Sequence, residues 1–354
     1  MNTLNIQNLY QNLQKTIQLN SSSIISLLSQ AQRKIKLFKK EEPSLSILYP
    51  ARSTVSESFF APIRQLTQQT LSIETIKRQS HAGPLCPHYV APREPIVLCH
   101  GLFGFDIQGP EFFPVLQRHY WDGIEDSLAR LGAKVIVTKV PQAGSISERS
   151  QALHHILTTV LVGKKLNFVA HSMGGLDCRH LLANNPKRAY NVQSLTTICT
   201  PHRGSPVMDW FRDHIGLGCD PLTRQQKKWI IDYFDTPAYS HLTTDFCNHY
   251  FNPNTPDDST VQYYSYGAST QFSDASLLNF PGRLVYEKEG ENDGIVSVKS
   301  AQWGTYVKTV QADHWDLSGK SCFPYRLSKL KNNQDFDRIG FYAELATHLY
   351  NQGH

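Results

Sequence analysis

The 354-residue chain contains no apolar run of the ~18 residues that a membrane-spanning helix requires, which excludes an integral helical membrane protein. Its seven cysteines include no CxxC pair, and their number is odd. A zinc ribbon, a dithiol redox site and a disulfide framework are therefore excluded, and a reducing compartment is expected. The spacing leaves only a bridge between Cys219 and Cys247 open. Acidic residues are missing from positions 1–40, where Lys15, Arg33, Lys34, Lys36, Lys39 and Lys40 lie. Without those six, 29 of the 35 basic residues remain against 30 acidic ones, so the rest is almost neutral and has no nucleic-acid footprint. No internal repeat is visible, which excludes a solenoid.

The first 45 residues are rich in Ser, Gln, Asn and Ile, the composition of an organelle-import presequence or of a solvated tail. Residues 24–28 are too short an apolar stretch for a secretory signal core. Residues 46–94, carrying Pro50, Pro62, Pro84 and Pro87, read as an irregular connector with one helix near 64–77. From Pro95 onward, apolar β-branched stretches alternate with amphipathic ones. Strands are expected at 96–99, 133–140, 166–170, 194–200, 261–268 and 307–312, and helices at 124–131, 148–161 and after Ser172. That alternation predicts an α/β fold, with a mainly parallel sheet covered by helices on both faces. Residues 210–256 break the pattern with Trp210, Phe211, Trp229, Tyr233, Phe234, Tyr239, Phe246, Tyr250 and Phe251, and read as a helical cap insertion.

The chain is organised around LNFVAHSMGG, in which a buried strand turns abruptly at Ser172 into a helix. A serine at the tip of such a turn is pushed outward, and the glycines beside it let strand and helix pack closely. Ala170 stands where the usual pentapeptide has glycine. An activated serine needs a base and an orienting acid, which in this arrangement follow in the order Ser, Asp or Glu, His. Asp293 in ENDGIV and His314 in ADHWD, each in a loop past a predicted element, supply that order. An oxyanion requires backbone donors, and the amides of Met173 and of Leu102 in HGLFG are the candidates.

Six segments, PIVLCHGLFGFD, YWDGIEDSLARLGAKVIVTKV, VAHSMGGLDCRHL, TTICTPHRGS, ENDGIVS and DHWD, resemble the triacylglycerol lipases of the Pseudomonas and Burkholderia type. Together with TPAYSHLTTDF and YYSYGA, they resemble more closely the mitochondrial triacylglycerol lipases of yeasts. The resemblance implies an α/β-hydrolase fold over residues 95–354 and hydrolysis of fatty-acyl esters of acylglycerols. It also implies the triad Ser172, Asp293 and His314, peripheral contact with a lipid droplet or membrane surface, and no organic cofactor. A phospholipase or acyltransferase on the same fold is the alternative, followed by a non-catalytic lipid-surface binder. The bacterial relatives hold a structural calcium whose acid matches Asp316, but the following ligand position falls on Lys320, and Asp274 is out of register by one. No metal is therefore expected, with Asp316 the only calcium candidate. Combined with the basic arm, the resemblance implies a mitochondrial location, with cytoplasm or the lipid-droplet surface as alternatives.

Overall fold

A computed structural model describes residues 88–104, 107–108, 118–218, 236–274, 276–319 and 336–354. The basic arm, the predicted helix near 64–77, the Trp229–Phe234 part of the insertion and Lys320 lie outside the described residues.

Six strands form one parallel sheet: β1 (Ile96–Cys99), β4 (Val135–Val137), β5 (Lys165–His171), β6 (Asn191–Ile198), β7 (Gln262–Ala268) and β8 (Thr305–Val310), in the order β4-β1-β5-β6-β7-β8. Two short strands, β2 (Ile107–Gln108) and β3 (Arg118–His119), pair antiparallel outside it. After β1 the chain steps to the edge strand β4, then returns past β1 to lay down β5. The order therefore reverses between β1 and β5, and a crevice opens at the carboxyl ends of strands at such a switch point.

The helices are α1 (Ile124–Leu131), α2 (Ile146–Val160), α3 (Gly174–Asn184), α4 (Pro206–Trp210), α5 (Pro237–His241), α6 (Asn279–Glu289), α7 (Val298–Ala301) and α8 (Arg338–Asn351). Alternation along β1 shows why the sheet needs cover on both sides. Ile96 and Leu98 pack with Trp121, Ile124 and Leu128 near α1 and with Tyr342 and Leu345 of α8. Val97 and Cys99 pack with Leu153 and Leu157 of α2 and with Leu181 of α3. Fully burying one such aliphatic side chain contributes about 1.5–3 kcal/mol, so both layers are well supported.

Several boundaries differ from the sequence reading for local reasons. Helix α2 begins at Ile146 rather than 148 because Ser145 and Glu148 form a capping box, satisfying amides at the first turn. Strand β4 is shorter than 133–140, and just beyond its end the Thr138 hydroxyl donates to the Leu98 carbonyl at 2.9 Å. Helices α6 and α8 and the β2–β3 ribbon are additions to the expected elements. The described parts of the insertion are helical: α4 widens into a π-helical turn at Phe211–Ile215, and a second such turn spans Phe246–Phe251. Cys247 is a buried thiol recorded as free, and Cys219, with which the spacing leaves a bridge open, lies outside the described residues.

Candidate active site

Strand β5 stops at His171, and Ser172 takes φ +56°, a left-handed conformation unfavourable for a residue with a Cβ. Two hydrogen bonds hold it there. The Ser172 amide donates to the Ile198 carbonyl at 2.9 Å, and the Thr200 hydroxyl donates to the Ser172 carbonyl at 2.7 Å. Helix α3 then starts at once, because a Cβ at Gly174 would come within 2.7 Å of the Cys99 carbonyl oxygen, and one at Gly175 would overlap the Thr200 side chain. These close approaches are why both positions are glycine. Ala170 needs no such allowance; it points into the core with Phe168 and Leu181.

The other two predicted side chains converge on this turn. His314, just beyond β8, places Nε2 3.0 Å from Ser172 Oγ and Nδ1 2.7 Å from Asp293 Oδ2. Asp293 is fully buried, and its Oδ1 accepts the amides of Ile295 at 3.0 Å and Val296 at 2.7 Å. The His314 amide donates to the Asp293 carbonyl at 2.9 Å, tying the two loops together. The neighbouring Cys199 thiol is pushed well up by burial and by the Asp293 carboxylate, so it stays protonated.

The turn after β1 reaches the same place. A Cβ at Gly101 would lie 2.7 Å from Ser172 Cβ, which sets HGLFG directly against the serine. The Gly104 amide closes this turn onto the Gly101 carbonyl at 3.1 Å. Neither the Leu102 amide nor the Met173 amide donates to an acceptor among the described residues. Their side chains join Met208, Leu242 and Phe251 in an apolar cluster from α4, α5 and the second π-helical turn.

Arg149 went unnoticed in the sequence. Its guanidinium is completely buried and donates to the carbonyls of His100 at 2.8 Å and Pro141 at 2.7 Å, and to the Asp177 carboxylate at 2.9 Å. It therefore binds the turn after β1 to the first turn of α3. Burial pushes the Asp177 carboxyl up to about 6, against the pull of Arg149, so the pair is ionised at neutral pH. The only available signal was a basic residue on a predicted buried helix face.

Asp316 is buried and accepts the Asp313 amide at 3.1 Å, while Asp313 Oδ1 accepts the amides of Trp315 and Asp316. Asp316 thus shapes the His314 loop from within. Asp274 is exposed and pairs with Arg283 at 3.0 Å. Among the described residues no three His, Cys, Asp or Glu side chains gather in a way that would hold a metal ion.

Comparison with known proteins bears on the family and the fold. Residues 94–249 match the model of the α/β-hydrolase fold family. Triacylglycerol lipase 2 of Saccharomyces cerevisiae is 34% identical over 313 residues, covering 75% of this chain and 94% of the yeast protein. A triacylglycerol lipase of Burkholderia plantarii is 33% identical over 172 residues, covering 47% of this chain and 46% of its own. Among solved structures, a metagenomic carboxyl esterase superposes with a TM-score of 0.61 at 19% identity, covering 77% of this chain and 80% of its own. The lipase of Staphylococcus hyicus superposes at 0.53 with 18% identity, covering 75% and 97% respectively, and these two likenesses speak to the fold. The yeast relative matches along nearly its whole length and three quarters of this chain: the chain belongs to the lipases and esterases of the α/β-hydrolase family.

Proposed function

We propose that this protein hydrolyses fatty-acyl esters of acylglycerols through an acyl-enzyme on Ser172, with His314 as general base and acid and Asp293 as the orienting carboxylate. The observation that carries the reading is the continuous relay Ser172 Oγ–His314 Nε2 at 3.0 Å and His314 Nδ1–Asp293 Oδ2 at 2.7 Å. With the Nδ1 proton held by Asp293, Nε2 is free to take the serine proton as Oγ attacks the ester carbonyl. The amides of Leu102 and Met173 then receive the oxyanion, and a donor of this kind is worth about 3 kcal/mol in the transition state. Collapse expels the glyceride alcohol with the proton from Nε2. Water, deprotonated by the same nitrogen, releases the fatty acid and restores Ser172.

The acylglycerol assignment is supported by the names of the relatives, several of which are triacylglycerol lipases. The apolar cluster around Leu102 and Met173 suits an acyl chain. Exposed Phe103, Leu277 and Phe280 are the kind of surface that meets a lipid droplet or membrane, and no helix among the described residues is long and apolar enough to cross one. A mitochondrial location remains part of the proposal, tested by fusing residues 1–45 to a fluorescent reporter; a diffuse cytosolic signal would oppose it.

The test is labelling with a fluorophosphonate, wild type beside Ser172→Ala, followed by fatty-acid release from a triacylglycerol emulsion. Labelling at Ser172 with release is expected. Labelling without release would move the substrate to phospholipids or to acyl transfer. No labelling would leave a lipid-binding protein without catalysis.

A further inference from the structure

His171 ends β5 one residue before the nucleophile, and the relay makes no use of its ring. The ring is 1% exposed, and its Nδ1 lies 2.7 Å from the hydroxyl of Tyr120. Tyr120, itself buried, follows β3 and stacks edge-on against Trp121 with ring centres 5.1 Å apart. Its hydroxyl oxygen also lies 3.4 Å from the Gly101 amide, in the turn that carries the Leu102 donor. An amide can only donate, so the phenol oxygen accepts there, and its other contact joins it to His171 Nδ1, the His171 tautomer deciding which of the two donates. The imidazole, buried and held neutral, also meets the His314 backbone. On its other side the ring packs against His314, with centres 4.8 Å apart and planes tilted by 42°.

We propose that Tyr120 and His171 form a positioning brace that fixes the oxyanion turn relative to the general base; the inference rests on the serine–histidine relay above. Its parts run in one line: Gly101 amide, Tyr120 phenol, His171 imidazole, His314 ring. Each end is an element whose placement decides the rate. The Gly101 end sets where the Leu102 amide points, and the His314 end sets where Nε2 meets Ser172. An ångström of drift between the two is enough to lose about a hundredfold in rate.

The residue types suit this role better than plain packing would. A phenylalanine at 171 would offer the flat ring but no hydrogen-bond partner for the phenol, whereas an asparagine would offer a partner but no ring for His314. The imidazole also has to remain uncharged while its neighbour cycles through a cation. Burial above all, and then the His314 charge, hold its proton affinity well below the usual value. A chargeable group here would oppose protonation of the base.

The experiment uses the full chain and a soluble short-chain ester, with fluorophosphonate labelling as a control. Tyr120→Phe removes a single oxygen and keeps the ring against Trp121. We expect kcat to fall about tenfold with KM within twofold of wild type and the melting temperature little changed. His171→Phe should fall similarly, and the double variant should be no slower than the slower single one, because either change breaks the same line. His171→Asn should keep the phenol bond yet still lose kcat through the missing ring. All variants should label at Ser172 to completion, only more slowly. Wild-type kcat in both Tyr120→Phe and His171→Phe would overturn the brace. So would multiplicative losses in the double variant, or a kcat that recovers when the assay temperature is lowered to restore folding. Failure of the wild type itself to label would count against the serine–histidine reading and is thereby distinguishable.

Discussion

The Arg149 guanidinium and the Asp177 carboxylate meet at 2.7 Å with side chains 0% and 2% exposed, joining the turn after β1 to helix α3. Those are the two elements whose amides are proposed to receive the oxyanion. A buried ion pair is weak evidence for stability, because desolvating both charges costs about what their attraction returns. Here the pair does something else: the same guanidinium holds the carbonyls of His100 and Pro141, and so helps to set the aim of the turn after β1.

Replacing Arg149 separates these contributions. Arg149→Met strands the Asp177 carboxylate and should cost about 3–5 kcal/mol of stability. Arg149→Met combined with Asp177→Leu removes both charges and should regain most of that loss, read as melting temperature. Its kcat should still be at least about tenfold below wild type, as for loss of part of an oxyanion donor's alignment. Full recovery of kcat in the double variant would reduce the pair to a packing role.

Gly101→Ala tests how closely the β1 turn presses on the serine. The new methyl would stand 2.7 Å from Ser172 Cβ and 3.2 Å from its Oγ, closer than packed atoms allow. One of the two loops must move, and a displacement near 1 Å should lower kcat by about a hundredfold. Gly163→Ala is the control, since nothing lies within 4 Å of a methyl there; its activity should match wild type while its φ of +68° costs a little stability.

Asp293→Asn makes a sharper prediction than simple loss of charge. The Ile295 and Val296 amides both point at Oδ1, so an asparagine will turn its carbonyl oxygen to them. Its NH2 then faces His314 Nδ1 and forces the proton onto Nε2, the nitrogen that must be bare to accept from Ser172. kcat should fall by about four orders of magnitude, the size seen when a triad carboxylate is made an amide. Folding should be unaffected, because the amide replaces the carboxylate at equal volume. Stopped-assay ester hydrolysis with a thermal melt checks both halves.

Much of this architecture was legible because strand-end chemistry leaves local marks. Ser172, Asp293 and His314 each sit beside a glycine or an Asx turn at the end of an apolar stretch, and the parallel sheet then brings those ends together. Helix α8 was legible in principle too, since Phe341, Tyr342, Leu345, Ala346 and Leu349 recur at helical spacing and are buried. Arg149, Tyr120 and His171 are different. Their key partners are backbone groups and side chains 19 to 51 positions away, so their roles exist only once β1 and β5 lie side by side. The start of α2 lay between these cases: Ser145 and Glu148 carry the capping spacing, but it stands ahead of the apolar periodicity that locates the helix.

The histidines predict the direction of acid sensitivity. Seven of them, His154, His171, His180, His202, His241, His348 and His354, are held below the ordinary value of 6.5, and burial is the leading cause in every case. A histidine whose folded-state pKa is depressed is neutral in the fold while the unfolded chain takes up a proton below 6.5. The unfolded state then binds more protons, so stability is fully present above 6.5 and is lost as pH falls below it. Asp177 runs the other way, because its raised pKa of about 6 lets the fold take a proton between about 6 and the ordinary carboxyl value of 3.8. The loss from seven histidines is therefore offset only in part by this one carboxyl. The fully buried pair His171 and His202 should carry the largest share of this loss, read as a melting temperature that falls between pH 7.5 and 5.5. His202→Asn should flatten the slope, because an amide in the same place has no proton to take. A melting temperature that rises on acidification through 6.5 would mean that these imidazoles are charged in the fold, and with it the neutral brace beside His314 would fall.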